Sequence, residues 1–169
     1  MNAERDSKLI LAIDTSTRLA STALYREGLI AEYSWQTSDD HTRELLPAID
    51  WVLKRAGTNV SEVGGLAVAL GPGSFNGLRV GVSTAKALAL PLQIPVAGIG
   101  TLEASAYAYA GVPMPIRALL NAGRGQINTA LFQGDSETWR QLEPAEAVSL
   151  DELIDRIREP VFVCGELEP

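Results

Sequence analysis

The chain alternates short apolar runs with amphipathic stretches. KLILAID at Lys8–Asp14 is an apolar run ending in an acid, and it predicts a buried strand. Thr15, Ser16 and Thr17 follow as a polar turn. Leu19–Tyr25 and Leu29–Trp35 alternate as strands and flank a turn at Glu27 and Gly28. From His41 to Ala56, the residues Leu45, Leu46, Ile49, Leu53 and Ala56 recur at helical spacing, with Pro47 expected in the first turn. Gly65–Leu70 reads as a strand, Gly71–Ser74 as a tight loop and Phe75–Leu90 as a second helix.

The same order returns in the second half. Ile116–Asn121 repeats the run Leu9–Asp14, with Asn121 in place of Asp14. Thr129–Phe132 repeats Thr22–Tyr25, Glu152–Ile154 with Ile157 repeats Glu44–Leu46 with Ile49, and Val161–Gly165 repeats Leu66–Gly71. Leu9 and Ile116 are 107 residues apart, as are Thr22 and Thr129. Four matches in one order predict two copies of a βββαβ unit joined by Pro91–Pro115. The expected division is a first lobe over 1–115 and a second over 116–169. This is the plan of the actin-like ATPase fold, an α/β architecture in which ligands sit between the copies. The second copy has no counterpart to the first copy's last helix. That predicts an uncovered sheet face, with lower stability or an oligomer as the consequence.

Composition narrows the function. Apolar residues make up 46% of the 169, enough for a sizeable core. The polar start and the shortness of the apolar runs predict a cytoplasmic protein with no signal peptide and no membrane span. One cysteine, Cys164, excludes an internal disulfide and a cysteine zinc site. A net charge of −7 and scattered arginines argue against unaided binding of nucleic acid.

Three features could carry chemistry. Asp14, Thr15 and Ser16 at a strand end could face a phosphate or its cation, or could satisfy their own backbone. Gly71-Pro72-Gly73-Ser74 opens a helix, where free N–H groups could hold an anion, or Ser74 could simply cap it. No Gly-Lys-Ser/Thr follows, so this is not a Walker loop. Gly77, Gly81, Ala85 and Ala89 form a smooth helix face that admits either its own sheet or a helix of another subunit. His41 is the only histidine, so two-imidazole metal binding is excluded. With no G-x-S-x-G elbow beside it, His41 supports no nucleophilic triad.

ILAIDTST at Ile10–Thr17, HTRELLPAID at His41–Asp50 and GPGSFNGLRVGVSTAKAL at Gly71–Leu88 resemble the TsaB (YeaZ) family of tRNA threonylcarbamoyladenosine biosynthesis. The likeness runs from Lys8 to Gly165 and is weaker after Pro115. It implies a non-catalytic partner that binds and activates the transferase TsaD, which carries the metal-binding histidines and the nucleotide site. The ATPase TsaE would join them, and tRNA would be met only through the complex. A homodimer is implied for the chain alone. By this resemblance the interface would use His41, Leu45, Ile49 and Leu53 with Phe75, Gly77, Leu78, Gly81 and Ala85. ATP or ADP could lie between the lobes, near Asp14, Thr15, Ser16, Gly73 and Ser74, or be shared with partners. Asn76 and the segment Asn121–Asn128 depart from the family pattern. The alternatives are an ATPase or kinase-like enzyme of the same fold, which would need an acid near Asn121, and a glycoprotease-like peptidase, for which no ligand set is present.

Overall fold

The computed structural model describes residues 8–37 and 40–167. They form two compact units, each built on its own sheet.

The first unit comprises the described residues up to Leu70 together with Ser74–Ile99. Strand β1 (Leu9–Asp14) lies at its centre, with Leu9, Leu11 and Ile13 buried at alternate positions. β2 (Leu19–Tyr25) pairs with it antiparallel, Ile10 opposite Tyr25 and Asp14 opposite Ser21. β3 (Leu29–Gln36) pairs antiparallel with β2 and is an edge strand. Helix α1 (His41–Arg55) follows, then β4 (Val63–Ala69), parallel to β1 on its other side. Helix α2 (Phe75–Leu92) leads to β5 (Val96–Ile99), parallel to β4. The sheet order is β3-β2-β1-β4-β5.

One apolar cluster joins this sheet to both helices. Leu11, Ile13, Leu24 and Val68 meet Leu45, Ile49 and Val52 of α1 and Ala85 and Ala89 of α2. Full burial of each large aliphatic side chain is worth roughly 1.5–3 kcal/mol, so this cluster is the main source of the unit's stability. α1 carries Glu44 in its first turn and Lys54 and Arg55 in its last, which suits the helix dipole. Pro47 is not in the first turn. It lies inside α1 on the exposed side, where the carbonyl that loses its partner can meet water.

The second unit comprises Gly71–Gly73 and the described residues from Gly100 onward. α3 (Thr101–Tyr107) packs Leu102 and Ala106 on Ile116, Ala118 and Leu120 of β6 (Ile116–Gly123). The segment expected only as a connector therefore contains β5 and α3, and α3 belongs with the second sheet. β6 and β7 (Gln126–Gln133) form a hairpin over Arg124 and Gly125, both with positive φ, 55° and 74°. Two such residues are what a type I′ turn requires. β8 (Arg140–Ser149) pairs with β7, α4 (Leu150–Arg156) follows, and β9 (Phe162–Glu166) runs parallel to β6. The order is β8-β7-β6-β9, which matches β3-β2-β1-β4 element for element. The expected βββαβ repeat is present, and the fold is α/β of the actin-like ATPase class. No helix among the described residues is long and apolar enough to cross a membrane.

Candidate functional site

At the end of β1, Asp14 turns back on its own chain. Its Oδ1 accepts from the Ser16 backbone N–H at 2.8 Å and from the Ser16 hydroxyl at 2.6 Å. The Thr15 hydroxyl, 2% exposed, donates to the Gly77 carbonyl at 2.7 Å. Ser74 N–H donates to the Ser16 carbonyl at 2.7 Å, and the Ser74 hydroxyl caps α2 by accepting from Gly77 N–H at 3.3 Å. The Thr15 hydroxyl thus fastens β1 to the start of α2, while the Ser16 hydroxyl is held by Asp14 and the Ser74 hydroxyl caps its own helix. This is the self-satisfied alternative of the sequence reading.

Asn121 repeats the Asp14 turn in the second unit, its Oδ1 accepting from Gly123 N–H at 2.8 Å. A side-chain carbonyl oxygen suffices for that geometry, so the exchange of acid for amide leaves the local structure intact.

The smooth face of α2 is turned inward. Gly77, Gly81, Ala85 and Ala89 are all buried in their own unit. A Cβ on Gly77 would lie 2.0 Å from the Thr15 carbonyl oxygen, and one on Gly81 2.4 Å from the Thr15 hydroxyl. The small residues exist so that the helix can approach β1 this closely, and an adjacent subunit has no access to them here. The same burial removes His41, Leu45, Ile49 and Leu53 from the outer surface of α1. His41 sits at the start of α1 with its Nε2 beside Gly77. Its Nδ1 is buried without a hydrogen-bond partner in the structure. Of the nine residues expected at a partner interface, Phe75 is exposed at 72% and Leu78 partly so.

The outward faces carry different residues. α1 exposes Leu46, Asp50 and Trp51; α2 exposes Arg79, Ser83, Lys86 and Leu90, the last at 82%. Arg79 lies over the Phe75 ring, 5.5 Å from its centroid. Sequence periodicity located both helices and left the neighbour of the small-residue face open; that face packs on the sheet of its own unit. Large apolar residues stand on both exposed faces, Leu46 and Trp51 on α1 and Leu90 on α2.

A groove of about 480 Å³ opens between β3 and α1. Tyr33, Trp35 and Trp51 line it, with Pro47, Arg43 and Glu44. The Trp35 indole donates to Glu44 Oε2 at 2.9 Å. The Thr37 hydroxyl and the Trp35 indole hold the Glu44 carboxyl below its ordinary range. Nothing in the linear sequence paired these three rings, because they lie on two elements that meet only in the fold. Among the described residues, no three His, Cys, Asp or Glu side chains converge as metal ligands.

Comparison with known proteins bears on these surfaces. A family model described as TsaD, tRNA N6-adenosine threonylcarbamoyltransferase, matches residues 31–160. The tRNA threonylcarbamoyladenosine biosynthesis protein TsaB of Bacillus subtilis is 35% identical over 163 residues, covering 92% of this chain and 70% of that relative. The Escherichia coli protein of the same name is 33% identical over 148 residues, covering 86% of this chain and 64% of its own. Among solved structures, YeaZ from Pseudomonas aeruginosa superposes with a TM-score of 0.82 at 27% identity, over 94% of this chain and 76% of that one.

Proposed function

The chain belongs to the TsaB family, and from that premise we propose that it is a non-catalytic partner that binds and activates a TsaD-type transferase making N6-threonylcarbamoyladenosine in tRNA. The observation that carries this reading is the outward surface of α1 and α2. Exposed Leu46, Phe75 and Leu90 stand there among Arg79, Lys86 and Asp50, on helices whose other sides are committed to the core. Apolar anchors within a charged surround are the composition of a protein-binding surface. The transferase family model covers both helices, which supports an assembly in which two related surfaces meet. The same surface would pair with itself when the chain is alone, since an isologous dimer needs only a self-complementary patch. A TsaE-type ATPase would join the assembly, and ATP or ADP would be held there. A net charge of −7 favours tRNA contact through the partner. The cytoplasm is the compartment in which such a complex would work.

The test mixes the chain with a TsaD-type transferase and reads the mass by light scattering after size exclusion. A one-to-one heterodimer should replace the homodimer. Leu46→Glu and Leu90→Glu should each weaken it by about tenfold or more, the scale of a buried apolar anchor, while leaving the unfolding midpoint unchanged. A folded chain that forms no complex, or variants that bind as well as the parent, would overturn the proposal.

A further inference from the structure

The groove between β3 and α1 is lined by residues of both elements and shares Trp51 with the exposed side of α1. Tyr33 and Trp35 are two apart on β3 and so share a face. Their ring centroids are 5.6 Å apart, and that of Trp51 is 5.1 Å from Tyr33. The result is a continuous aromatic floor, with Tyr33 and Trp51 both more than one-third exposed. Two charges stand at its margin. Arg43 is offset by Asp40, 3.6 Å away. Glu44 makes no ion pair with Lys or Arg among the described residues, and its Oε2 accepts the Trp35 indole N–H. The groove is thus aromatic with a net negative charge. Among the described residues β3 is paired on one side only, by β2, so its other edge offers backbone N–H and C=O groups to an added strand.

We propose that this groove is a binding slot for an arginine side chain presented by an extended segment of a partner protein laid along the free edge of β3. The guanidinium would lie flat on the Tyr33 and Trp51 rings and donate its hydrogen bonds to the Glu44 carboxylate. A planar cation that both stacks and pairs with a carboxylate fits such a site better than lysine does. Stacked nucleic-acid bases would also suit the aromatic floor. The unpaired carboxylate at the margin and the chain's net charge of −7 disfavour a phosphate backbone beside it.

The experiment follows the indole N–H resonances of the three tryptophans in the full chain. The probes are a capped Thr-Val-Arg-Val-Thr pentapeptide, its Arg→Gln counterpart and a short oligoadenylate. The arginine peptide should move Trp35 and Trp51 but not Trp139, and should bind at least about fivefold more tightly than the glutamine peptide. Glu44→Gln and Trp51→Ala should each remove most of that difference. Trp51 is exposed and Glu44 half-buried, both in the first unit, and an unchanged urea midpoint for each variant would show that this unit still folds. Equal shifts with both peptides, or an arginine preference that survives Glu44→Gln, would overturn the assignment. A stronger response to oligoadenylate would overturn it in favour of a base-stacking platform.

Discussion

Gly77→Ala tests the close approach of α2 to β1 most directly. On helix propensity alone the change should stabilise, since alanine is better than glycine in a helix by about 1 kcal/mol. The structure predicts the opposite sign. The new Cβ would sit 2.0 Å from the backbone oxygen of Thr15 and 3.1 Å from His41 Nε2, whereas real Cβ contacts do not fall below 3.0 Å. The obstructing atom is main chain at the end of the central strand, so it cannot rotate away. Helix and strand must part, and overpacking of this kind costs about 1–3 kcal/mol. Parting also stretches the Thr15 hydroxyl bond to the Gly77 carbonyl, worth about 1 kcal/mol. Set against the propensity gain, the net loss is roughly 1–3 kcal/mol. Urea unfolding followed by circular dichroism would measure it as a lower midpoint at constant slope. Ala87→Gly, at an exposed position of the same helix, isolates the propensity term and should cost about 1 kcal/mol. A Gly77→Ala chain more stable than the parent would refute the packing of α2 described here.

Two further outcomes follow from side-chain pairs. Arg117, 4% exposed, makes a double hydrogen bond to Glu143 at 2.6 and 3.1 Å, which holds the Glu143 carboxyl below its ordinary value of 4.5. A lowered folded-state pKa gives a stabilisation that is complete above the unfolded value and disappears as the pH falls through the folded one. Glu143→Gln should therefore cost about 1–2 kcal/mol at pH 7, allowing for the partial exposure of Glu143. The two chains should converge in acid below that window, as urea midpoints measured against pH would show. Asp14→Asn should stay within about 0.5 kcal/mol of the parent, because the amide oxygen can accept the same Ser16 bonds. A larger loss in chemical unfolding would mean that the charge itself is structural.

The strands that alternate strongly were legible in the sequence. LILAID and LASTALY bury every second residue, and that period survives folding unchanged. β5 and β8 were not, for a physical reason. All four residues of β5 are exposed, and β8 buries only Val148 in a run that includes Arg140, Gln141, Glu143, Pro144 and Glu146.

 Both strands are held by pairing with a neighbour distant in sequence, β5 with β4 and β8 with β7, and no local pattern records that.

The candidate surfaces were legible in the same partial way. A glycine and alanine stripe states that something comes close, but a helical period gives an angle and not the identity of the neighbour. Only the position of the Thr15 carbonyl settles that the neighbour is β1. Once that face is committed inward, the geometry of the rest follows. The helix is anchored at its start by Ser74 and along its length by four small residues, so the side carrying Arg79, Lys86 and Leu90 must point outward. The residues first read as the partner face are thus what turns the opposite side of α2 to the surface. Which side of α2 is free for a partner follows from its core packing, so a one-carbon change at Gly77 should reach both that packing and the binding surface proposed above.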